Sequence, residues 1–415
     1  MMNAIVLLAT IFAGGAVQAE AAPTYQAIMA EAEAAFAAED WRTAADRLDA
    51  AQDLRPYSLF LTRNRILVRS MLGEYEAAEA LAAKVADRGL AIRLTGHPGL
   101  EAFAERPAAA AIIARMDLNR SEKGKAEIAL SHDDASLLPE AVAHDARTGA
   151  YFIGSVRSGK ILRFANASAE GFAIAAGGVY ALEASAGELW AAVNTAAPFE
   201  SPDPSGARSS IVRYGLRDGA VKSAYPAPEG PATIGALEST RAGLVASDSA
   251  TPRLLILRKG ADALETLAAD PRFVNLQGLA YDARRKRLYV ADYLAGLFSV
   301  DLKTGAATPL ANLADAHLGG LDGLQPYEGD LIGVQNGTTP QRIVRLRLNA
   351  AGDAVERLEV LQQALPGWNE PTNGTIVGAR LVYIATSNWP AYGDDGAAPD
   401  AGALKPLTLM KLDLE

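Results

Sequence analysis

The chain has 415 residues, of which 50% are hydrophobic and 21% are charged, and its formal net charge at neutral pH is −10. This profile is typical of a soluble globular protein with two domains or one large repeat fold. The acidic balance argues against nucleic acid or an anionic membrane as the main partner. The sequence contains no cysteine, which excludes a disulfide framework and a cysteine-linked lipid anchor.

The first residues resemble an export signal. An apolar stretch, AIVLLATIFAGGA, spans residues 4–16 and is followed by Val17-Gln18-Ala19, a small-x-small cleavage pattern. This pattern predicts a secretory signal peptide over residues 1–19 and a periplasmic or secreted protein. The flank has no Lys or Arg, so a buried first helix is the alternative. No other long apolar run follows, and we expect no membrane span in the mature chain.

Residues 24–114 are rich in Ala, Leu and Glu, with apolar positions at helical spacing. Trp41 and Tyr75 stand 34 positions apart, as do Ala44 and Ala78, and this is the period of the tetratricopeptide repeat. The segment resembles that family, with Pro56 closing the first repeat. Its groove could bind a protein partner. Alternatively, because two repeats bury little surface alone, the helices form a cap packed on the next domain.

A polar stretch at residues 119–125 (NRSEKGK) marks a boundary, after which short β runs alternate with Gly, Asp and Pro. Six similar units follow at intervals of about 40 to 55 residues, which suits four strands each. We therefore predict an all-β six-bladed propeller over residues 126–415, preceded by the α-helical segment. The units begin at Glu140, Tyr180, Gly235, Gln277, Asp322 and Asn373.

The two ends of this region predict how the ring closes. The last unit offers two strands, a long loop and a third strand in residues 406–415. An unpaired run at residues 126–132 (AEIALSH) precedes the first unit. Pairing 126–132 with the last blade would complete that blade and remove an exposed sheet edge.

The residues that open the six innermost strands should crowd around one mouth of the central channel. Glu140, Gln277, Asp322 and Asn373 would bring two carboxylates and two carboxamides together there. Such oxygen donors predict a site for a hard divalent cation, Ca²⁺ in the first place, with Zn²⁺ or Mn²⁺ as alternatives. Without a cation, one of the two carboxylates should be protonated. Alternatively, these side chains cap strand ends and hydrate the channel.

Three short motifs carry a family resemblance. Leu138-Pro139-Glu140, Leu276-Gln277-Gly278 and Leu321-Asp322-Gly323, each opening a blade, resemble the senescence-marker-protein/gluconolactonase family, which belongs with paraoxonase-like and strictosidine-synthase-like six-bladed propellers. The resemblance covers residues 126–415. It implies a divalent metal at the channel mouth, held by one Glu, two Asn and one Asp, and hydrolysis of a small lactone or ester.

The resemblance transfers to this chain only in part. Glu140 matches the family's Glu, and Asp322 matches its Asp. Gln277 stands where one Asn is usual, with an amide oxygen on a longer arm. Gly235 stands where the other Asn is usual and offers no side chain. Asn373, from the sixth blade, is a possible substitute.

The propeller geometry also predicts which loops surround a small-molecule ligand at this mouth. Two long loops, residues 195–209 and 390–405, lie on that face and are typical of specificity elements. His317 precedes Asp322 and is the one candidate for proton transfer, with a solvated loop histidine as the alternative. The predicted rim comprises Arg157, Asn194, Asp248, Tyr293, Asn336, Asn388 and Trp389.

Two functions follow from these observations. The first is an exported metal-dependent hydrolase acting on a lactone or ester, with metal at Glu140 and Asp322. The second is a non-catalytic module that binds a ligand or protein and holds a degenerate or structural metal site. The departures at Gly235 and Gln277 favour the second, whereas the two carboxylates and the rim favour the first.

Overall fold

A computed structural model describes residues 23–166, 168–203, 208–393, 397 and 400–415. The predicted signal peptide, residues 1–19, lies outside this part of the chain. The described residues form an N-terminal group of helices followed by six β-sheets. Among them, no helix has the length and apolar character needed to cross a membrane.

The N-terminal segment consists of short amphipathic helices. Three of them begin at side-chain caps, Thr24, Asp40 and Ser58, whose oxygens accept backbone N–H groups. Trp41 and Tyr75 are the first residues of their helices, so the 34-residue spacing matches a structural spacing. The tetratricopeptide assignment itself remains a prediction. The helices are α1 (Tyr25–Ala37), α2 (Trp41–Leu54), α3 (Leu59–Met71), α4 (Tyr75–Asp87), α5 (Glu101–Ala104) and α6 (Pro107–Asn119), with a 3₁₀ turn at Pro98–Leu100.

Six sheets follow, each with four antiparallel strands, and they confirm the predicted six-bladed propeller. The first blade is β2 (Pro139–Asp145), β3 (Ala150–Ser155), β4 (Lys160–Ala165) and β5 (Ser168–Ile174). The second is β6 (Gly178–Ser185), β7 (Glu188–Asn194), β8 (Ser209–Gly215) and β9 (Val221–Pro226). The third is β10 (Ile234–Ser239), β11 (Gly243–Asp248), β12 (Arg253–Arg258) and β13 (Glu265–Ala268).

The fourth blade is β14 (Leu276–Asp282), β15 (Arg287–Asp292), β16 (Gly296–Val300) and β17 (Ala307–Pro309). The fifth is β19 (Leu321–Tyr327), β20 (Asp330–Gln335), β21 (Arg342–Leu348) and β22 (Ala354–Gln363), with β18 (Ala311–Asn312) pairing in parallel on its outer edge. The sixth combines β23 (Gly374–Val377), β24 (Arg380–Ile384), β25 (Leu407–Asp413) and β1 (Glu127–His132).

The sixth blade joins the two ends of the propeller sequence. Strand β1 pairs antiparallel with β25, from Glu127 opposite Lys411 to His132 opposite Leu407. Leu407 and Leu409 are fully buried between this blade and the first. The outer strand of the last blade is thus supplied from the start of the ring, which fastens the circle without a covalent link.

The innermost strands share an irregularity at the same end. In each of the first five blades, the register of the ladder shifts at the strand entry, at Glu140, Tyr180, Gly235, Gln277 and Asp322. A bulge leaves its extra residue outside the ladder and re-aims its side chain. These five residues therefore open the channel mouth, while the following residues continue the sheet.

The helices lie on the same face as this mouth. Tyr57 N–H donates to Leu294 O at 3.0 Å, in the loop after β15, and Ala91 N–H donates to Thr339 O at 2.7 Å, in the loop after β20. Arg88 pairs with Asp315 at 2.6 Å in the loop that enters β19. Each of these loops also adjoins a strand end at the mouth, so the helical segment covers part of the rim over the fourth and fifth blades.

Gly319 lies close to the side chain of Tyr57 at this interface, with no room for a side chain of its own. A Cβ built there would lie 2.3 Å from the Cβ of Tyr57 and 2.9 Å from Tyr293 O. Gly319→Ala should therefore push Tyr57 away and reduce the free energy of unfolding by about 1–2 kcal/mol, the usual cost of overpacking. Urea denaturation measures this loss, and limited proteolysis shows whether the helices become more accessible.

Gly171→Ala is the matched control for this substitution. Gly171 lies in β5 with open space around its Cβ position and no left-handed backbone angle. Its substitution should change stability by no more than about 0.5 kcal/mol. Equal effects of the two alanines would show that Tyr57 does not pack against the propeller as described.

Candidate functional site

The channel mouth is a cavity of about 280 Å³. Three predicted metal ligands, Glu140, Gln277 and Asp322, line it. Of the predicted rim, Tyr293, Asn336 and Trp389 line it as well. The remaining lining residues are Tyr180, Thr233, Gly235, Ser249 and Glu370. The cavity is therefore rich in carboxylates and aromatic rings and has no Lys, Arg or His among its lining residues.

Glu140 is held from both sides of its carboxylate. Trp389 Nε1 donates to Oε2 at 2.6 Å, and Asn373 Nδ2 donates to Oε1 at 3.2 Å and to Glu140 O at 3.1 Å. Burial, followed by the repulsion of Asp322, raises the pKa of Glu140 well above its usual value, although the bond from Trp389 opposes this shift. The carboxylate thus has a fixed position, and a bound cation or a proton would stabilise it.

Asp322 is the second fixed carboxylate. Asn336 Nδ2 donates to its Oδ2 at 2.7 Å, and Tyr293 Oη donates to Asn336 Oδ1 at 2.9 Å. Burial raises the pKa of Asp322 to about 6, against the opposing effect of the Asn336 bond. Burial also raises the pKa of the Tyr293 hydroxyl, so this group stays protonated and remains a donor. A chain of two side chains, Tyr293 and Asn336, therefore orients Asp322.

Glu370 is a third carboxylate that the sequence prediction missed. It lies in the loop before β23, has a left-handed backbone angle (φ 57°) and lines the mouth. Burial and the repulsion of Asp322 raise its pKa. The available signal was an acid followed by Pro371 in a blade-entry loop. In the described structure its carboxylate accepts no hydrogen bond, unlike those of Glu140 and Asp322.

Gln277, Gly235 and Asn373 complete the predicted ligand positions. Gln277 Nε2 donates to Asn275 at 2.9 Å, and its Oε1 faces Gly235, 3.5 Å from a Cβ built there. Asn373 directs its amide nitrogen, not its oxygen, at Glu140. Gln277 therefore offers an oxygen to the mouth, whereas Asn373 holds Glu140 in place.

These donors fit a hard cation by their chemistry. Glu140, Asp322 and the amide oxygen of Gln277 are all oxygen donors, and the repulsion of Asp322 adds to the effect of burial in raising the pKa of Glu140. Within the described residues, no three Asp, Glu or His side chains converge closely enough to hold a metal by themselves. A cation here must therefore draw on amide oxygens and water besides Glu140 and Asp322.

The other rim residues are engaged in the loops around the mouth. Asn194 exchanges two hydrogen bonds with the backbone of Ile234, at 2.9 and 3.1 Å, and ties the second blade to the third. Asp248 accepts from Thr233 N–H and pairs with Arg253 at 2.9 Å. These two side chains are almost fully buried and shape the loops.

Two further rim residues brace the loops in the same manner. Asn388 donates to Lys405 O at 2.9 Å and to Ala135 O at 3.3 Å, at a left-handed φ of 69°. Arg157 donates to Pro198 O at 2.8 Å, within the described part of the long loop at residues 195–209. Both residues connect loops to their surroundings, and neither lines the mouth cavity.

His317 lies beneath the helices, apart from the lining of the mouth. Its ring packs edge-on against Tyr57 with centroids 5.3 Å apart, and only 3% of the residue is exposed. Burial, with nearby Arg342 and Arg88, lowers the pKa of His317 to about 3. The ring is therefore neutral at physiological pH and belongs to the contact between the helices and the propeller.

The channel beyond the mouth holds a second acid pair that the sequence analysis did not identify. Glu183 and Glu238 line a space of about 140 Å³, with His144 nearby in the same lining. Burial raises the pKa of Glu183 to about 7, and burial with repulsion from Glu183 raises that of Glu238 well above its usual value. The channel is acidic along its length.

Solved structures similar to this chain include propellers of the gluconolactonase and regucalcin type. A gluconolactonase from Xanthomonas campestris is 15% identical, with 70% of this chain and 90% of that chain covered and a TM-score of 0.47. A calcium-binding protein, regucalcin, from Agrobacterium tumefaciens is 15% identical, with 68% and 93% covered and a TM-score of 0.47.

A luciferin-regenerating enzyme is 13% identical, with 70% of this chain and 96% of that chain covered and a TM-score of 0.48. No family model matches the chain, and no curated protein matches it.

Proposed function

We propose that the mouth binds a divalent cation, Ca²⁺ in the first place, and that the exported protein hydrolyses a small lactone or ester there. The observation that carries this proposal is the group of one buried and two half-buried carboxylates with raised pKa values and no cationic side chain in the same cavity. Mutually repelling carboxylates are stabilised by a cation or by protons. A cavity of about 280 Å³ admits a small ester or lactone.

Glu140, Asp322 and Gln277 would hold the cation. A divalent cation bound there would polarise the carbonyl of the substrate as a Lewis acid. Asn336 and Trp389 keep the two carboxylates in position through their hydrogen bonds. The rings of Tyr180, Tyr293 and Trp389 line the cavity and limit the access of water to the reacting groups.

Glu370 is the group best suited to move a proton. Its carboxylate is not held by a hydrogen bond in the described structure. Its pKa is raised toward neutral pH, where a group that accepts and returns a proton works best. One Glu370 oxygen accepts a proton from the attacking water and returns it to the leaving alkoxide. The Tyr180 hydroxyl, kept protonated by burial and by Glu140, donates a hydrogen bond to the carbonyl oxygen.

A panel of substrates and metals tests this function. The chelated protein is assayed with γ-butyrolactone, δ-valerolactone and 4-nitrophenyl acetate, alone and with Ca²⁺, Mn²⁺ or Zn²⁺. We expect turnover that depends on one of the metals and is lost with EDTA. Metal-dependent thermal stabilisation without turnover would reject the hydrolase and leave the cation site standing.

A non-catalytic binding module is the second candidate, and two observations favour it. Both oxygens of Glu140 already accept hydrogen bonds, from Asn373 and Trp389. Gly235 supplies no ligand at the third blade. Such a site could hold a structural cation while the mouth binds a small ligand without chemistry.

Gly235→Asn should strengthen cation binding. A Cβ at this position meets only ordinary contacts, 3.5 Å to Gln277 Oε1 and 3.9 Å to Ser247 Oγ, and the backbone lies outside the left-handed region. The new amide oxygen would add one ligand beside Gln277. Because affinity for Ca²⁺ rises with the number of oxygen ligands, we expect about tenfold tighter binding by isothermal titration calorimetry.

Gly235→Ala is the control, since it adds the Cβ without the oxygen. Its affinity for Ca²⁺ should equal that of the natural chain. If alanine and asparagine have the same effect, the change comes from packing, and no cation lies within reach of this position.

A further inference from the structure

A groove between the helices and the fifth blade lies beside the mouth. It encloses about 710 Å³ and is bounded by Phe60 and Ile92 on the helical side and by the loop 336–341 on the propeller side. Asn336, which orients Asp322, lines both this groove and the mouth cavity. The groove and the mouth cavity are therefore neighbours at Asn336.

The charge of the groove is opposite to that of the mouth. Arg63, Arg93 and Arg120 line it, and none of its lining residues is Asp or Glu. This concentration of positive charge stands out in a chain whose formal net charge is −10. The mouth next to it is lined by three carboxylates.

Two of these arginines have no acidic partner in the part of the chain that the structure describes. Arg63 Nε donates to Arg93 O at 2.8 Å, which orients its guanidinium without neutralising it. Within the described residues, neither Arg63 nor Arg93 forms an ion pair. By contrast, Arg65 and Arg69, which share α3 with Arg63, both pair with Asp49 at 2.5 Å. Arg120 lies 3.6 Å from Asp117. Arg63 and Arg93 are therefore available to an external anion.

The groove also has an apolar wall. Leu59 and Ile92 line it, and the ring of Phe60 is 63% exposed beside them. An exposed aromatic ring next to unpaired guanidinium groups suits a ligand that combines an apolar body with an anionic group.

We propose that this groove is an anion-binding subsite. It takes the carboxylate, phosphate or sulfonate of a small, partly apolar ligand whose other end lies in the mouth. The opposite charges of the two spaces orient the ligand, because the acidic mouth repels the anionic group and the arginines attract it. The identity of the reacting end rests on the proposed function, but the anion subsite does not require turnover.

A pair of probes that differ in charge tests this subsite by direct binding. Isothermal titration compares 4-nitrobenzoate with neutral 4-nitrobenzyl alcohol on the full chain and on the double variant Arg63→Ala/Arg93→Ala. We expect the double variant to bind the benzoate about tenfold more weakly and the alcohol equally well. The affinity of the natural chain for the benzoate should also fall as salt is raised, since the contact is ionic.

Arg115→Ala is the matched control. Arg115 is an exposed arginine of α6 that pairs with Asp87 outside the groove. Its substitution by alanine removes one positive charge from the same domain and should leave the affinities for the benzoate and for the alcohol unchanged. Equal loss of benzoate binding in Arg115→Ala would assign the effect to overall charge and overturn the proposal.

Further outcomes separate this proposal from hydrolysis. Benzoate binding that depends on Arg63 and Arg93, in a protein without turnover, would support the subsite while the hydrolase fails. Turnover without any preference between the two probes would overturn the subsite alone. Binding of an acidic hexapeptide in place of the benzoate would also overturn it, in favour of a protein partner.

Discussion

Replacing Glu140 with glutamine should weaken Ca²⁺ binding by at least about 100-fold and reduce metal-dependent hydrolysis to a similar extent. Glu140 is 7% exposed, and its carboxylate is fixed by Asn373 and Trp389 in the lining of the mouth. The substitution removes the negative charge and turns an amide donor toward one of these two donors. Loss of partners outside the ligand shell alone costs about 10–100-fold in metal affinity, so loss of a ligand should cost at least as much.

Glu188→Gln is the control for this change. Glu188 begins β7 at the end of the second blade away from the mouth, so its substitution removes an equal charge without touching the site. Isothermal titration with Ca²⁺ and turnover of the active ester are compared in both variants, and circular dichroism checks their folding. A Glu140→Gln protein that binds Ca²⁺ within about threefold of the natural chain would remove this residue from the ligand set.

The architecture was predictable because each blade repeats a local signal. Apolar strand residues, a turn and a second strand recur six times, and the fold class follows from their number and spacing. The entry residues were predictable for the same reason. Glu140, Gln277 and Asp322 are each the second residue of their strands, and the bulges in the register turn them toward the mouth.

The polar loop residues were harder to interpret. Asn194 and Asp248 end β7 and β11, only one position short of the places that Tyr293 and Asn336 take after β15 and β20. They nevertheless bind backbone groups of the loop or of the next blade, whereas Tyr293 and Asn336 bind each other at the mouth. Sequence position gives the face on which a side chain lies, but it does not distinguish a loop brace from a group that lines a cavity. This distinction depends on which backbone groups remain unpaired after the blades have packed.

The positions of Glu370 and His317 relative to the mouth depend on contacts that cannot be predicted from the sequence. Glu370 reaches the mouth because its loop adopts a left-handed angle before Pro371. His317 is covered by Tyr57 from a helix-connecting segment that is distant in the sequence. Neither the loop angle nor the docking of the helices can be read from periodicity, so the sequence placed His317 at the mouth and omitted Glu370.

The helices also support the loops that carry Tyr293 and Asn336. Tyr57 packs against Gly319 and Gly296, next to the loop that carries Tyr293, and Ala91 binds the loop that carries Asn336. Because Tyr293 and Asn336 together orient Asp322, the helical segment supports one carboxylate of the mouth from outside the propeller. It also supplies the arginines of the groove.

Asp322→Asn should stabilise the metal-free protein at pH 7.5 by about 2 kcal/mol and leave its stability at pH 4 unchanged. The pKa of Asp322 is raised from 3.8 in the unfolded chain to about 6 in the folded one, so folding binds protons between these values. The folded state therefore loses stability as the pH rises through this window. A shift of one pKa unit corresponds to about 1.4 kcal/mol, and the opening of the mouth to water reduces the effect.

Urea denaturation in EDTA, at several pH values from 4 to 7.5, measures the difference between the variant and the natural chain. The comparison cancels His317, whose lowered pKa has the opposite effect on stability in an overlapping range and is the same in both proteins. Added Ca²⁺ should reverse the order at pH 7.5, because the cation stabilises the carboxylate that the variant lacks. A variant that is less stable than the natural chain at pH 7.5 in EDTA would show that Asp322 is stabilised in its ionised form without any cation, and the case for a cation at the mouth would lose its electrostatic basis.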